Sequence, residues 1–331
     1  MRIVAARRLG SLRKPPRLEY GDRIALLAPS SPPLDPAVVD QAWERFEKLG
    51  YKVQVGRNAR HRHGFLAGTD TERAKDLNAA FSSRSIRAIF CIRGGYGLGR
   101  ILDRIDFGAL ARNPKIIVGC SDITALLCGA AIFAKVRTFH GPMPSSLVES
   151  ECPEFTWNSL IQTLSGAPAS QGSILSGYPD ARSTVFPIRK GKVTAPLIGG
   201  NLAVLCSLIG TPFFPSLAGK ILFFEDIGET PFRIDRNLTH LLSLGLLDSV
   251  AGFALGLFKD CAYRPPKAGD PLEYRQDLRD VITERLRPLG KPIIMGLPFG
   301  HLPLNATLPI GALATLDATK GDLLIEDSSV T

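Results

Sequence analysis

The segment KIIVGCSDITALLCGAAIFAKV, residues 115–136, contains the pattern that decides the fold. Lys115–Gly119 is mostly apolar and predicts a short buried strand. The apolar stretch Ile123–Val136 follows after a turn and predicts a helix that is buried over most of its surface. A strand that leads directly into such a helix is the repeating unit of an α/β fold with parallel strands.

Strand–helix units of the same kind surround this segment. Further strands are predicted at Ile24–Ala28, Tyr51–Val55, Ile86–Ile92 and from Arg137 to His140. A first helix places on one face Val39, Trp43, Phe46 and Leu49. Thr69 and Glu72 have the spacing of a capping box, so a second helix begins there and extends to about Phe81. This alternation predicts a mostly parallel sheet with helices on both faces.

The pattern changes in the second half of the chain. Loop-forming residues interrupt the periodicity between about 150 and 190. Beyond Gly191, helices are predicted at Leu202–Ile209, Ile234–Leu246 and Leu278–Leu286. Strands are predicted at Lys220–Phe224, Val250–Phe258, Pro292–Leu297, Ala312–Ala318 and Leu323–Glu326. The last strands lack intervening helices, so we expect a tail (1–19), an α/β domain (20–150), a linker (151–190) and a β-rich domain (191–331).

The chain has 331 residues and a formal net charge of +9, which raises the question of a nucleic-acid or membrane partner. Six of the basic residues lie within the first 17 positions, where no acidic residue accompanies them. A basic, proline-containing terminus is typical of a disordered extension. No apolar run reaches the roughly 18 residues of a membrane span. We therefore expect neither a nucleic-acid partner nor a membrane.

The six cysteines have neither the C-x-x-C spacing nor the histidine partners of a zinc site. Four of them lie in apolar runs, where a free thiol behaves as a small hydrophobic group: Cys91, Cys120, Cys128 and Cys206. This usage is typical of a reducing compartment. We therefore expect a cytoplasmic protein without disulfides, bound metal or any other cofactor.

Ser121 is the first candidate for chemistry, since it lies in the turn between the strand and the helix of the opening segment. At a helix N-terminus, the dipole and the free N–H groups can stabilise an alkoxide and a developing oxyanion. The arrangement is similar in logic to a nucleophile elbow, although the sequence Gly119-Cys-Ser-Asp122 lacks the G-x-S-x-G pattern. The alternative is that Ser121 or Asp122 only caps the helix.

Two further reactive side chains follow strands of the second half. Glu225 comes directly after four apolar residues, and a carboxylate buried at a strand end needs a partner. Arg233 or Arg236 is the candidate partner in a purely structural role. His301 lies in a glycine-flanked turn and is suited to proton transfer near neutral pH, with a structural role as its alternative. His140, at another strand end, is its main rival as a base.

A glycine-rich loop, Ile92-Arg-Gly-Gly-Tyr-Gly-Leu-Gly99, follows the third predicted strand. It lacks the G-x-G-x-x-G spacing of a dinucleotide site and the lysine of a Walker motif, so a phosphate cradle is the weaker interpretation. Glycines also allow backbone N–H groups to approach a ligand or an oxyanion closely. Open α/β sheets bind ligands at the carboxyl ends of their strands, where this loop and Ser121 both lie.

In combination, these motifs resemble the LD-carboxypeptidase family of serine peptidases, which includes muramoyltetrapeptide carboxypeptidase and the microcin-immunity peptidases. The resemblance extends from about Gly21 to the last strands. The matching segments are Ile92–Gly97, Gly119–Thr124, His140–Pro142, Gly199–Leu202, Phe224–Glu229, Arg233–Arg236 and Leu297–His301. Cys120 departs from the family pattern, which has an aromatic residue before the serine, and this concerns the shape of the pocket.

The resemblance implies a role for each of the candidate residues. Ser121 matches the nucleophile, Glu225 the acidic member and His301 the general base of a catalytic triad. The oxyanion hole would consist of the N–H of Asp122 and an N–H within the pair Gly94-Gly95. The family also implies a flavodoxin-like N-terminal domain, a β-rich C-terminal domain, a homodimer and an active site between the domains.

The expected function is that of a serine carboxypeptidase, which hydrolyses the L,D-peptide bond to the terminal D-amino acid of murein tetrapeptides through an acyl-enzyme in cell-wall recycling. An arginine is well suited to bind the terminal carboxylate of such a substrate. Arg93 is the candidate, with an ion pair to a neighbouring acid as its alternative. Two other functions stay open: a microcin-immunity-type peptidase that cleaves a peptidyl-nucleotide antibiotic, and a non-catalytic protein that binds nucleotides or polyanions.

Overall fold

The computed structural model describes residues 10–148, 152–178, 181–262 and 277–331. Within these ranges the strands are β1 (Arg23–Leu27), β2 (Lys52–Val55), β3 (Ile86–Cys91), β4 (Ile116–Gly119), β5 (Thr138–His140), β6 (Gly172–Ser173), β7 (Phe186–Arg189), β8 (Lys192–Asn201), β9 (Ile221–Glu225), β10 (Gly252–Leu255), β11 (Ile293–Met295), β12 (Leu308–Ile310), β13 (Leu313–Asp317) and β14 (Asp322–Ile325). The helices are α1 (Ala37–Lys48), α2 (Asp70–Ser82), α3 (Phe107–Arg112), α4 (Thr124–Gly129), α5 (Pro144–Leu147), α6 (Glu154–Ser165), α7 (Ala181–Thr184), α8 (Leu202–Ser207), α9 (Pro231–Ser243) and α10 (Leu278–Leu286).

A six-stranded sheet, in the order β12–β5–β4–β3–β1–β2, forms the first domain. The strands from β5 to β2 are parallel to one another, which confirms the predicted α/β architecture. The capping box of α2 is present, with Thr69 and Glu72 bonded reciprocally. On α1 the buried stripe consists of Val39, Ala42 and Phe46, and it is narrower than predicted because Trp43 lies at its margin and is exposed.

An eight-stranded sheet, in the order β6–β14–β13–β8–β9–β10–β11–β7, forms the β-rich second domain. Its central strands β8 to β11 are parallel, and the flanking strands are antiparallel to their neighbours. The central strand β8 was not predicted, because Pro196 and the pair Gly199-Gly200 are unusual within a strand. Its burial comes from packing between β9 and β13, which local sequence does not reveal.

The region expected to be a linker, 151–190, contains several helices and strands in its described part. Helix α6 packs its apolar side against the first domain, where Trp157, Leu160 and Leu164 join the same apolar cluster as β1 and α1. Strands β6 and β7 pair with β14 and β11 at the two edges of the second sheet. The connection between the domains is therefore folded onto both of them.

The expectation of a disordered tail over 1–19 concerns two different parts of the chain. Residues 1–9 lie outside the described residues. Residues 10–18 contact the body of the protein, because Leu12 and Leu18 are buried and the N–H of Arg13 donates to the carbonyl of Lys135 at 2.8 Å. This second part of the tail is ordered, which differs from the expectation, since its apolar side chains pack against the folded domains.

The two domains share strands and core. Strand β12 comes from the second half of the chain, yet it is antiparallel to β5 at the edge of the first sheet. One continuous apolar cluster contains side chains from both sheets, such as Leu27 and Ile117 of the first and Phe223 of the second. As a result, the carboxyl ends of β3, β4 and β5 face the end of β9 and the loop that leads into β12.

Candidate active site

Ser121 lies at the carboxyl end of β4, in a short 3-10 turn at Ser121–Ile123 that leads into α4. Its φ of +60° is in the left-handed region, which costs a non-glycine residue roughly 1–2 kcal/mol. The turn is closed by the N–H of Ile123, which donates to the carbonyl of Cys120 at 3.1 Å. Such a strained turn after a strand is the conformation that presents a nucleophilic side chain above a sheet.

Gly94 is pressed against this turn. A methyl group on Gly94 would lie 2.7 Å from Ser121 Cβ, 3.0 Å from Ser121 Oγ and 3.3 Å from the backbone nitrogen of Asp122. A side chain at this position would therefore displace the serine. The glycine-rich loop and the backbone N–H of Asp122 thus lie beside the same hydroxyl, where donors for an oxyanion are needed.

The side chain of Asp122 points away from the hydroxyl and ties the turn to two loops. Its Oδ2 accepts hydrogen bonds from Ser30 Oγ at 2.6 Å and from the backbone N–H of Leu98 at 2.9 Å. Burial raises the pKa of Asp122, although these two hydrogen bonds act in the opposite direction. Asp122 therefore connects the serine turn to the glycine loop and to the loop after β1, besides offering its N–H.

The loop after β1 supports the glycine loop as well, a contribution that sequence reasoning missed. The N–H of Ser31 donates to the carbonyl of Gly94 at 3.1 Å, and Ser31 Oγ accepts from the N–H of Tyr96 at 3.2 Å. The only available indication in the sequence was the position of Ser30 and Ser31 after a strand, at the same edge of the sheet as Ser121.

Glu225 and His301 are hydrogen-bonded to each other. Glu225 is the last residue of β9 and is fully buried, and its Oε2 lies 2.6 Å from His301 Nδ1. Burial lowers the pKa of His301, but the hydrogen bond and the charge of Glu225 outweigh it, so the pKa lies above its ordinary value. The arginines considered as partners of Glu225 lie elsewhere: Arg233 pairs with Glu229 at 3.6 Å, and Arg236 packs over the ring of Phe232.

Gly300 makes room for this pair. Its φ is +127°, and a methyl group on it would lie 3.1 Å from Glu225 Oε2 and 2.8 Å from the carbonyl oxygen of Leu257. The side-chain carbonyl of Asn305 accepts from the N–H of Gly300 at 3.2 Å, and its amide donates to the carbonyl of Gly300 at 2.8 Å. Asn305 thereby fixes the loop that carries His301.

A buried polar network beside Glu225 connects the two domains. Asp226 accepts hydrogen bonds from Asn201 Nδ2 at 2.9 Å and from the N–H of Ala203 at 3.0 Å. The N–H of Asn201 in turn donates to Thr124 Oγ1, at 3.0 Å, in the first turn of α4. Burial raises the pKa of Asp226 to about 6. This network, which the sequence did not reveal, holds the end of β9 against the helix that follows Ser121.

A cavity of about 440 Å³ lies between the domains, and Ser121 and His301 both line it. Gly94 and Gly95 also line the cavity, together with Arg93, whose Nη1 donates to the carbonyl of Pro32 at 2.9 Å. Among the described residues, no acidic side chain pairs with Arg93. This argues against the alternative role of Arg93 as a partner in an ion pair. Glu225 lies behind His301, away from the cavity surface.

None of the remaining histidines lines this cavity. His140 is fully buried and does not line it, whereas His61 and His63 lie in an exposed loop. His240 is on α9, on the outer side of the second domain's core. The structure therefore brings together a serine, a histidine and a carboxylate from three distant parts of the chain.

Within residues 10–148, 152–178, 181–262 and 277–331, no cluster of three or more histidine, cysteine, aspartate or glutamate side chains could hold a metal ion. We therefore expect activity to survive exhaustive treatment with EDTA, since the candidate nucleophile and base, Ser121 and His301, need no metal ion. Release of product before and after chelation is the measurement. Loss of activity that added zinc restores would contradict a serine mechanism.

A serine on a strained turn and a histidine held by a buried carboxylate define the side-chain set of a serine hydrolase. The chain belongs to the LD-carboxypeptidase family: residues 24–141 match the LD-carboxypeptidase N-terminal domain, and residues 194–316 match the C-terminal domain. The resemblance described above is thereby confirmed, as are a serine-type hydrolase and the two-domain fold.

Individual relatives agree with this membership. The probable murein peptide carboxypeptidase of Bacillus subtilis (strain 168) is 36% identical over 314 residues, which cover 95% of this chain and 94% of that protein. A crystal structure of muramoyltetrapeptide carboxypeptidase from Oxalobacter formigenes is 28% identical with a TM-score of 0.77, covering 93% and 100% of the two chains. The microcin C7 self-immunity protein MccF, in an inactive mutant apo state, is 25% identical with a TM-score of 0.84, covering 96% and 99%.

Across the part of the chain that the structure describes, no helix combines the length and the apolar character that crossing a bilayer requires.

Proposed function

We propose that this protein is a cytoplasmic serine carboxypeptidase that removes the terminal D-amino acid from murein tetrapeptides by hydrolysing an L,D-peptide bond. The observation that carries the proposal is the 2.6 Å hydrogen bond between Glu225 and His301 at a cavity that Ser121 lines. The relatives named murein peptide and muramoyltetrapeptide carboxypeptidase support the substrate class. In the cell, such an activity recycles peptides released from the wall.

In the first half of the reaction, Ser121 Oγ attacks the carbonyl carbon of the scissile bond while its proton moves to His301 Nε2. Glu225 keeps Nδ1 protonated and stabilises the imidazolium that forms. The oxyanion of the tetrahedral intermediate accepts hydrogen bonds from the N–H of Asp122 and from an N–H within Gly94-Gly95. The C–N bond then breaks as His301 returns the proton to the leaving amine, and the D-amino acid departs.

In the second half, the shortened peptide is held as an ester on Ser121. Water attacks the ester carbon and gives a proton to His301, and the same donors stabilise the second oxyanion. When the ester C–O bond breaks, His301 returns the proton to Ser121 Oγ. The enzyme is thereby restored, and the peptide leaves with a new carboxylate.

The test of this function is incubation of the purified protein with a muramyl tetrapeptide, with free D-Ala measured by chromatography or a coupled assay. We expect D-Ala to appear in stoichiometric amounts with the tripeptide. A parallel reaction uses the L-Ala-terminated peptide, which a carboxypeptidase for L,D-bonds leaves intact. If neither D-Ala nor tripeptide appears while a serine-directed phosphonate labels Ser121, the hydrolase stands and the substrate assignment fails.

Recognition of the terminal carboxylate is assigned to Arg93, which lines the cavity beside the glycine loop. Arg93→Ala is expected to lower kcat/KM for free-acid peptides by about tenfold to one hundredfold, because an arginine–carboxylate contact is a strong charged hydrogen bond. The same variant should hardly affect the corresponding peptide amides, which have no terminal charge. Steady-state kinetics on both substrates measure the difference.

The matched control for Arg93→Ala is Arg84→Ala, since Arg84 is exposed and lies outside the cavity. It should leave both substrates unaffected. An equal loss on acids and amides in Arg93→Ala would remove Arg93 from carboxylate recognition and leave it a role in holding the loop after β1 through Pro32.

A second candidate function is favoured by the similarity to MccF, whose fold covers 96% of this chain. In that case the same triad would cleave a peptidyl-nucleotide antibiotic. Cys120, which lines the cavity beside the nucleophile in place of the family's aromatic residue, would then give the pocket a shape that accepts this substrate. Competing the two substrates in one reaction, with products identified by mass spectrometry, separates the functions. Exclusive cleavage of the peptidyl nucleotide would replace the murein assignment.

The homodimer that the family resemblance implies is part of this proposal. Light scattering coupled to size-exclusion chromatography should give about twice the chain mass of 35.8 kDa. Neither a membrane nor a nucleic-acid partner is included, since six of the basic residues lie within the first 17 positions, where no acidic residue balances them, and account for most of the net charge of +9.

A further inference from the structure

His140 is a buried histidine next to the active site without a role in the mechanism above. It is the last residue of β5, where it pairs with Gly119 of β4, just before the serine turn. Its ring has no exposed surface and packs against Phe223 and Phe299, with centroid distances of 5.4 and 6.2 Å. Neither ring nitrogen has a hydrogen-bond partner among the described residues.

Glu225 also has a buried polar atom without a hydrogen-bond partner among the described residues. Its Oε2 is bonded to His301, but its Oε1 is buried and has no partner within the described ranges. Phe223 and Glu225 lie two residues apart on β9, so their side chains project from the same face of the strand. The ring that packs on His140 and the carboxylate of Glu225 therefore lie side by side, and the unpaired groups share one buried region.

A buried polar atom without a hydrogen-bond partner destabilises the folded protein, and the free-energy cost is larger when the group is ionised. We propose that His140 is a positioning residue of the active site: its neutral ring donates an N–H, across one water molecule, to the second oxygen of Glu225. The carboxylate is then held between two imidazoles, one of which exchanges protons with Ser121 while the other does not. This inference rests on the proposed function, because it assigns Glu225 to the triad.

The surroundings of His140 suit a donor better than a base. It does not line the cavity that contains Ser121. Burial lowers the pKa of His140 to about 4, although the charge of Glu225 acts in the opposite direction. Its ring is therefore neutral at physiological pH and carries one N–H, which suits it to donate without adding a charge.

The effect on catalysis acts through the hydrogen bond between Glu225 and His301. Without a donor on Oε1, the negative charge of the carboxylate is compensated less and stabilises the protonated form of His301 more strongly, so the pKa of His301 rises further. The other titratable or charged groups that face the pair remain in place, namely Asp226 beside Glu225, Cys120 after β4, and Lys259 and Cys261 beyond β10. A shift on changing His140 alone therefore reports its own contribution.

The experiment compares His140→Phe, which keeps the aromatic packing but has no donor, with His140→Gln, which keeps a donor. In His140→Phe, labelling of Ser121 by a fluorophosphonate should slow by about tenfold to one hundredfold, as for other groups that orient a catalytic ligand. The acidic limb of its pH profile should move to higher pH, and the NMR titration of His301 should move in the same direction. In His140→Gln, the labelling rate, the pH profile and the His301 titration should all lie close to those of the wild type.

Each readout can overturn the inference on its own. An unchanged His301 titration in a folded His140→Phe variant would reduce His140 to a packing residue. A wild-type crystal structure should show solvent density within hydrogen-bonding distance of both His140 and Glu225 Oε1, and a dry gap there would contradict the proposal without any variant. If the wild type released no D-Ala, the substrate assignment would fail, whereas the titration would still decide the role of His140.

Discussion

Ser121→Ala is expected to lower the turnover of a murein tetrapeptide on the order of 10⁶-fold, because the acyl-enzyme can no longer form. His301→Ala should have a similar effect, since the hydroxyl then loses the base that accepts its proton. The double variant should be little worse than either single one, because the two residues act as a unit. Single-turnover release of D-Ala measures all three.

Ser145→Ala is the matched control, since Ser145 lines the same cavity and is also a serine. It should keep turnover within a fewfold of wild type and remain reactive toward a serine-directed phosphonate. Multiplicative losses in the double variant would show that Ser121 and His301 act independently. If His301→Ala kept near-normal turnover while His140→Ala abolished it, the base would be His140, and both the triad and the positioning role of His140 would be wrong.

Glu225→Gln should reduce turnover by roughly 10³- to 10⁴-fold while the protein stays folded, as for acidic members of other triads. The amide keeps the size of the carboxylate but removes its charge and no longer fixes the tautomer of His301. Since the contact with Glu225 raises the pKa of His301, its loss lowers that pKa. The acidic limb of the residual activity should therefore move to lower pH, which a kcat/KM profile measures.

Glu229→Gln provides the comparison for that variant, because it makes the same chemical change four residues later. Glu229 pairs with Arg233 outside the cavity, so the variant should leave both rate and pH profile unchanged. A Glu225→Gln protein with near-normal turnover would mean that the 2.6 Å contact with His301 serves packing alone.

The fold was predictable from the sequence wherever hydrophobic periodicity is a local property. Strands β1 and β3 and helix α10 have the expected positions to within about a residue, because the spacing of their apolar residues follows the period of a strand or of a helix. Strand β8 and helix α6 were not predicted. Their apolar residues become meaningful only against partners far away in the chain, such as β9 and α1.

For the candidate site, too, the sequence indicated only what local patterns can reveal. The three reactive residues stood out because each follows an apolar strand, and the parallel order of the strands makes their meeting plausible. The groups that hold them in place did not stand out. The bond from Ser30 to Asp122 joins residues 92 positions apart, and that from Asn201 to Asp226 joins two different elements of the second domain. Short-range spacing contains no information about such contacts.

The path of the chain through β12 has a consequence for how relatives of this protein can exchange parts. Leu308–Ile310 completes the edge of the first sheet, and the terminal segment also returns to the first domain, where Val330 joins the same apolar cluster as β1 and α1. Neither half of the chain can therefore be exchanged as an independent unit by recombination. A chimaera with a single crossover near residue 150 would set a foreign edge strand against β5, behind the loop that carries the histidine. We therefore expect functional recombinants within this family to need a second crossover, between the histidine loop and β12, which returns the end of the chain to its original first domain.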